Sequence, residues 1–590
     1  MIDGTICCIK GLFCLILGCE KCTIMSTKYI LTLYLSVGTL FASSQVPRVN
    51  LFSKTDAEAM TMWVDSIFDA MTLDQRIGQL FMVVADPGTG SANLQKIKGY
   101  ISDVHVGGIL FSKGKAADQA KVTNQCQEWS TVPLLISLDG EWGLSMRLDQ
   151  TTRFPRNMML GALRDNDLLV EYGKEVGRQC REMGIHINFA PVMDVNVASE
   201  NPVIGMRSFG SDVDNVTAKG IAYAKGLESV GILSVAKHFP GHGDTNDDSH
   251  HTLPVIPHNR QRLNQVELAP FKSYIDAGLS GIMTGHLRVP ALDSLSNDAS
   301  SLSYQIITKL LQEEFGFQGI CVTDALVMKG AANGKDICVE SLRAGNDILL
   351  SPANPQKEFD AVKSAVKSGY IPIAQIEEKC RKVLRLKYAL GLNNYRPVEL
   401  KGLNERLNTP RAEFLARKLN AQSLTLLKNE RESLPLKKLD KLSTASLSLG
   451  DSNPSDFQVS MNRYFDMAAF SLAPDANAGQ IEAVCRQLRK YDRVVVGIHS
   501  IRSRMPAELE KLLSTKLVTL VYFISPYSIG RFASVENGAE SVVLAYENTP
   551  LAQDCAGQLV FGGIAAEGRL PVGLNRYPLE IGRASCRERV

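Results

Sequence analysis

The chain has 590 residues, with 64 Lys plus Arg against 62 Asp plus Glu, a formal net charge of +2. That balance gives no compositional argument for binding nucleic acid or a polyanionic membrane surface. Hydrophobic residues at 45% and charged residues at 21% exclude global disorder, collagen and coiled coil.

Residues 1–24 are Cys-rich (Cys7, Cys8, Cys14, Cys19, Cys22) and weakly patterned, and the natural start is expected at Met25. The remaining cysteines are scattered singly, with no Cys-x-x-Cys spacing among them, so no zinc or redox site is expected. From Met25, Lys28 precedes an apolar run from Tyr29 to Phe41, followed by Ala42-Ser43-Ser44. A basic start, a short apolar core and small residues predict a secretory signal over 25–44 and a periplasmic or secreted protein. A membrane anchor is the alternative, but the run is short for a bilayer. No stable membrane insertion is expected once the signal is cleaved.

Between residues 75 and 355 short apolar runs alternate with amphipathic segments. The runs are Leu80–Ala85, Val106–Phe111, Pro133–Leu138, Ile187–Val192, Ile232–Ala236, Gly281–Thr284, Gly319–Val322 and Asp347–Leu350. Helical patterning fills Asp165–Met183, Val213–Val230, Gln261–Ala277 and Tyr304–Phe315. Continuous apolar runs suit strands buried on both faces of a parallel sheet. Eight such units predict an α/β fold, a (β/α)8 TIM-like barrel over 55–395, with a doubly wound sheet as the alternative. Residues 396–410 read as a polar linker. Runs at Ser423–Lys428, Thr444–Leu449, Arg493–Ile498, Leu517–Ile524 and Ser541–Tyr546 predict a smaller α/β sandwich domain over 411–579. Residues 580–590 resemble the in-frame translation of a sequencing adapter and are set aside.

Barrels carry chemistry just past the carboxyl ends of their strands. Those ends read Asp139-Gly-Glu141, Asp194-Val-Asn196, Lys237-His238, Gly285-His286 and Asp324. The densest segment is Lys237-His-Phe-Pro-Gly-His-Gly-Asp-Thr-Asn-Asp-Asp-Ser-His-His251, holding four of the chain's nine histidines. Three readings fit it: a metal site, an acid–base pair from Asp248 and His250, or a solvated polar loop. Asp324 reads either as a nucleophile or electrostatic stabiliser, or as the cap of a following helix.

These strings carry a resemblance. Lys237-His-Phe-Pro-Gly-His-Gly with Asp248-Ser-His250, Asn188–Asn196, Asn201–Gly210 and Gly319–Asp324 are similar to the glycoside hydrolase family 3 enzymes of the β-N-acetylhexosaminidase branch. Ser423–Asn429 and Leu570-Pro-Val572 resemble the second domain of longer members. The resemblance implies Asp324 as nucleophile, His250 as acid then base with Asp248 as its partner, and Asp139, Arg147, Arg207, Lys237 and His238 as sugar binders. For Arg147 and Arg207 the alternative is pairing with rim carboxylates. The resemblance implies a retaining exo-β-N-acetylglucosaminidase acting on GlcNAc-containing cell-wall fragments, with no metal, no cofactor and no nucleic-acid partner. A phosphorylase or β-glucosidase on the same scaffold, or a non-catalytic wall-binding protein, are the rivals. One departure stands out: where the family reads Asp-x-Glu-Gly-Gly-Arg, this chain has Trp142 and Leu144, so Trp142 is either an added aromatic wall or a packing residue.

Overall fold

The computed structural model describes residues 50–582, except 246, 250–251, 332–335 and 452–453. The expected signal and the stretch before it lie outside the described residues, as does the tail after residue 582.

Eight short parallel strands form the first sheet: β1 (Phe81–Ala85), β2 (Gly108–Phe111), β3 (Leu135–Leu138), β4 (Ile187–Asn188), β5 (Leu233–Phe239), β6 (Gly281–Thr284), β7 (Ile320–Thr323) and β8 (Leu349–Leu350). Their order is β8-β1-β2-β3-β4-β5-β6-β7. A parallel bridge between Val322 and Ile348 joins β7 to the entry of β8 and closes the ring. This is the (β/α)8 barrel, and the doubly wound alternative falls for this region. Its strand residues, Val84 excepted, are buried on both faces, which is why the runs are continuously apolar rather than alternating. Two strands are shorter than their runs. After Asn188 the ladder is interrupted at Pro191, which has no N–H to donate, and resumes as a single bridge between Val192 and Lys237. Before β8, Asp347 is held by ion pairs with Lys382 (2.7 Å) and Lys379 (3.6 Å) rather than continuing a strand.

The second sheet has six strands: β9 (Thr425–Asn429), β10 (Thr444–Leu449), β11 (Ala468–Leu472), β12 (Arg493–Ile498), β13 (Leu517–Tyr522) and β14 (Ser541–Leu544). The order is β9-β14-β13-β12-β10-β11, with β9 antiparallel and the rest parallel. The reversal lies between β10 and β12, as in doubly wound α/β folds.

Both sheets belong to one compact unit, Val49–Val590. Residues 396–410 are not a free connector. A short helix there, Leu403–Leu407, buries Leu403 and Leu407 in the barrel core. Its polar look reflects one solvated face, as expected of an amphipathic turn. In exchange, Met158, Met159 and Ala162 of the barrel belong to the core of the second sheet. Backbone bonds cross the seam from Ser211 N–H to Pro571 O (3.0 Å) and from Arg569 N–H to Ala162 O (2.9 Å).

Candidate active site

At the carboxyl end of the barrel the loops converge on one charged cluster. Asp139 and Glu141 follow β3, two residues apart, so an extended chain presents both carboxylates to nearby partners. Lys237, inside β5, reaches Asp139 Oδ1 and Glu141 Oε1, both at 2.9 Å. Arg147 donates to Asp139 Oδ2 at 2.8 Å. Arg207, delivered by the turn Gly205–Arg207, grips Glu141 in a fork, Nε to Oε2 at 3.0 Å and an Nη to Oε1 at 2.7 Å. Glu141 is completely buried. A bidentate Arg fork with a bridging Lys is what makes such burial tolerable.

The protonation states follow from these partners. Burial alone would raise the Asp139 and Glu141 carboxyls, but their cationic neighbours outweigh it and hold both below the ordinary range. Burial works against the Lys237 charge, yet Asp139 and Glu141 keep its ammonium above the ordinary lysine value. His238 places Nδ1 2.7 Å from Asp194 Oδ2, and its Nε2 3.3 Å from an Nη of Arg207. A carboxylate can only accept, so Nδ1 carries a proton directed at Asp194. Asp194 Oδ1 also accepts the backbone N–H groups of His238 (3.1 Å) and His242 (2.6 Å).

Asp324 follows β7. Its backbone N–H donates to Thr284 O (2.9 Å), and its Oδ1 accepts the N–H of Ala325 (2.8 Å). It caps its own neighbour and not a helix. Burial would raise this carboxyl, but His238, His286, the Ala325 N–H and Lys237 prevail and keep it below the usual Asp range. His286 sets Nε2 3.2 Å from Ala325 O and Nδ1 2.7 Å from Ser301 Oγ, bracing the residue next to Asp324.

The loop after β5 is built on glycines. Gly241 has φ +128°, and a Cβ on Gly243 would fall 1.8 Å from Val195 O. Buried His242 pins the loop, with ring nitrogens on Thr245 Oγ1 (2.8 Å) and Ser249 Oγ (3.0 Å). Burial and the nearby His238 push its pKa down to about 4. The half-buried Asp248 accepts the Thr252 N–H on its carbonyl at 3.0 Å. His250, the expected partner of Asp248, lies outside the described residues. Ser249 O accepts the N–H of Gly330 at 3.2 Å, fastening this loop to the segment that follows Asp324. Asp244, His258 and Glu267 could together offer three metal ligands. The Arg262 guanidinium already spans Asp244 (3.3 Å) and Glu267 (3.1 Å), supplying positive charge there.

The barrel thus brings Asp139, Arg147, Arg207, Lys237, His238 and Asp324 to one end. Both arginines are also paired with rim carboxylates, as their alternative reading had it. Sequence reasoning left Glu141 and Asp194 off the site. The Asp-x-Glu spacing held the signal for Glu141, and the polar end of the fourth apolar run held that for Asp194. The arrangement sets the Asp324 carboxylate, which like Asp139 and Glu141 is held below the usual range, beside a rigid array of donors and acceptors suited to a neutral polyhydroxylated ligand.

Residues 72–386 match the glycosyl hydrolase family 3 N-terminal domain. The chain is 30% identical to β-hexosaminidase A of Pseudoalteromonas piscicida over 80% of this chain and 90% of that protein. It is 29% identical to a β-N-acetylglucosaminidase/β-glucosidase of Cellulomonas fimi, over 63% of this chain and 68% of that one. Among solved structures, a family 3 β-N-acetylglucosaminidase from Paenibacillus sp. FPU-7 superposes with a TM-score of 0.73 at 30% identity, covering 85% of this chain and 99% of the other.

Proposed function

The chain belongs to glycoside hydrolase family 3 and is a glycoside hydrolase of the β-N-acetylhexosaminidase type, and from that premise we propose that it removes terminal β-linked GlcNAc with retention of configuration. One observation carries the reading. Asp324 is kept ionised at the barrel mouth, and the loop bearing Asp248 is fastened by Ser249 to Gly330, just beyond it.

The chemistry runs in two displacements. The Asp324 carboxylate attacks the anomeric carbon as the glycosidic C–O bond breaks, and the leaving oxygen takes a proton from His250, oriented by Asp248. Water then gives a proton back to His250, bonds to the same carbon and releases Asp324, so two inversions restore the configuration. An imidazole titrates near neutrality, which suits it to both roles. Asp139, Arg147, Arg207, Lys237 and His238 hold the sugar hydroxyls and acetamide. Names of the similar proteins support GlcNAc as the sugar. The signal-like residues 25–44 support a periplasmic or secreted enzyme working on cell-wall fragments.

The test is chromophore release from aryl β-GlcNAc and aryl β-Glc, with and without inorganic phosphate. Faster release from the GlcNAc glycoside, unchanged by phosphate and yielding free GlcNAc, is expected. A sugar 1-phosphate product would convert the reading to phosphorolysis.

A further inference from the structure

The second sheet sends two polar side chains, the partly buried Tyr527 and the buried Glu547, towards the barrel mouth, and each ends on a segment that carries a site residue. Tyr527 Oη accepts the Asn196 amide N–H at 2.7 Å. The other end of that amide, Asn196 Oδ1, accepts the N–H of Gly205 at 3.0 Å. Gly205 opens the turn that delivers Arg207 to Glu141. On the opposite side Glu547, only 6% exposed, accepts the N–H of Arg156 on Oε1 at 2.5 Å. The Arg156 guanidinium lies over the Trp142 ring, 5.1 Å from its centroid. Trp142 is the next residue after Glu141.

We propose that Tyr527 and Glu547 are positioning residues of the active site: through Asn196 and Arg156 they set Arg207 and the half-buried Trp142, which forms an aromatic wall of the sugar-binding pocket. The physical case rests on where these groups could otherwise be. Glu547 is a buried carboxylate, and such a group is retained only with donors at hand. Its donors here are a backbone N–H and, at 3.7 Å, Arg153, both in the segment that follows Trp142. Asn196 likewise links a second-sheet hydroxyl to the Arg207 turn through the two ends of its amide, its nitrogen also donating to Ala198 O at 3.2 Å. A cation over an indole face restricts the ring, and an aromatic face offers a sugar an apolar surface with fixed orientation. The second sheet therefore does more than cover the barrel, because each brace ends one covalent step or one short turn from a residue of the charged cluster.

This inference rests on the sugar-binding reading above, so its experiment is arranged to separate the two. Tyr527→Phe and Glu547→Met each remove one hydrogen-bond acceptor at nearly constant volume. Each is expected to raise KM for aryl β-GlcNAc about 5–20-fold with kcat within about threefold, the signature of lost ground-state positioning. A purely structural role would lower thermal stability and leave KM within twofold, and that result overturns the proposal. A second measurement needs no turnover. The chain has three tryptophans, so Trp63→Phe with Trp129→Phe leaves Trp142 as sole reporter. In that background Glu547→Met, which has no acceptor for the Arg156 N–H, is expected to red-shift the Trp142 emission and reduce its quenching by GlcNAc. Unchanged emission and quenching overturn the Glu547 brace. Should wild-type protein fail to hydrolyse aryl β-GlcNAc, the proposed reaction falls, and the ligand-free emission still decides whether Glu547 holds Trp142.

Discussion

The two sheets end in the same way and reach different outcomes. The barrel is wholly parallel and the second sheet parallel but for β9, and both gather polar residues beyond the carboxyl ends of their strands. In the barrel those ends surround one axis, so Asp139, Glu141, Lys237, Arg207 and His238 from three different strand ends fall within hydrogen-bond reach of each other. In the open second sheet the ends lie along a line. His499 after β12 finds Asp451 after β10 (3.3 Å) and Asn548 (3.0 Å), and its ring stacks on Phe523 at 4.5 Å. That group is a local, apolar-backed pair, whereas the barrel's is a continuous ionic array. Closure of the sheet, more than the residue types, turns strand ends into a reaction site.

Four experiments probe that contrast. The largest effect is expected from Asp324→Ala, which should lower turnover of aryl β-GlcNAc on the order of 10⁴–10⁶-fold, as loss of a nucleophile does. Near-wild-type kcat would remove Asp324 from the chemistry. Next, His250→Ala should slow cleavage of a natural disaccharide about 10²–10⁴-fold. It should cost far less with an activated aryl leaving group, where slow deglycosylation lets a sugar–Asp324 adduct accumulate, visible by intact mass. Asp248→Ala should reproduce part of that loss. If His251→Ala showed the leaving-group dependence and His250→Ala did not, the roles would exchange.

The third experiment compares the edges directly. Glu141→Ala strands buried positive charge on Arg207 and Lys237 and should cost about 3–5 kcal/mol of unfolding free energy. Asp451→Asn replaces a carboxylate facing His499; burial holds that ring below the ordinary imidazole range, so little ionic attraction is lost and the cost should be about 1 kcal/mol or less. Urea unfolding of both variants decides it, and equal costs would erase the distinction. The smallest effect is a pH slope. His242 has its folded pKa near 4, against about 6.5 unfolded. The unfolded chain therefore takes up the proton first as pH falls. Stability is retained above pH 6.5 and lost progressively down to pH 4, by about 2 kcal/mol at pH 5. His242→Gln should flatten the difference between urea midpoints at pH 7 and pH 5. An unchanged difference would place that slope elsewhere.

Much of this was legible in the residues. The eight apolar runs gave the barrel because burial on both faces erases the period-two alternation that would otherwise mark a strand. Their lengths were read less well. Backbone pairing, which made β4 and β8 only two residues each, leaves no trace in hydrophobicity. The polar strand ends marked the site, yet Glu141 and Asp194 were passed over. A buried carboxylate is distinguished by its partners, and Arg207 lies 66 positions from Glu141 along the chain. Tyr527 and Glu547 were invisible for the same reason, being 331 and 391 positions from the residues they hold.

The exchange of core residues across the seam has a consequence for synthesis. The barrel strands leave the ribosome first, because β1–β8 all precede residue 351. Met158, Met159 and Ala162 are then lipophilic surface without a cover, since their packing partners run from Leu424 to Tyr577. A nascent chain arrested near residue 400 would carry a finished catalytic ring with an adhesive flank, a natural target for chaperones and for self-association. The final third of the polypeptide thus acts as an intramolecular holdase, and the cover of that flank is complete only when the segment running to Tyr577, beyond β14, has been made.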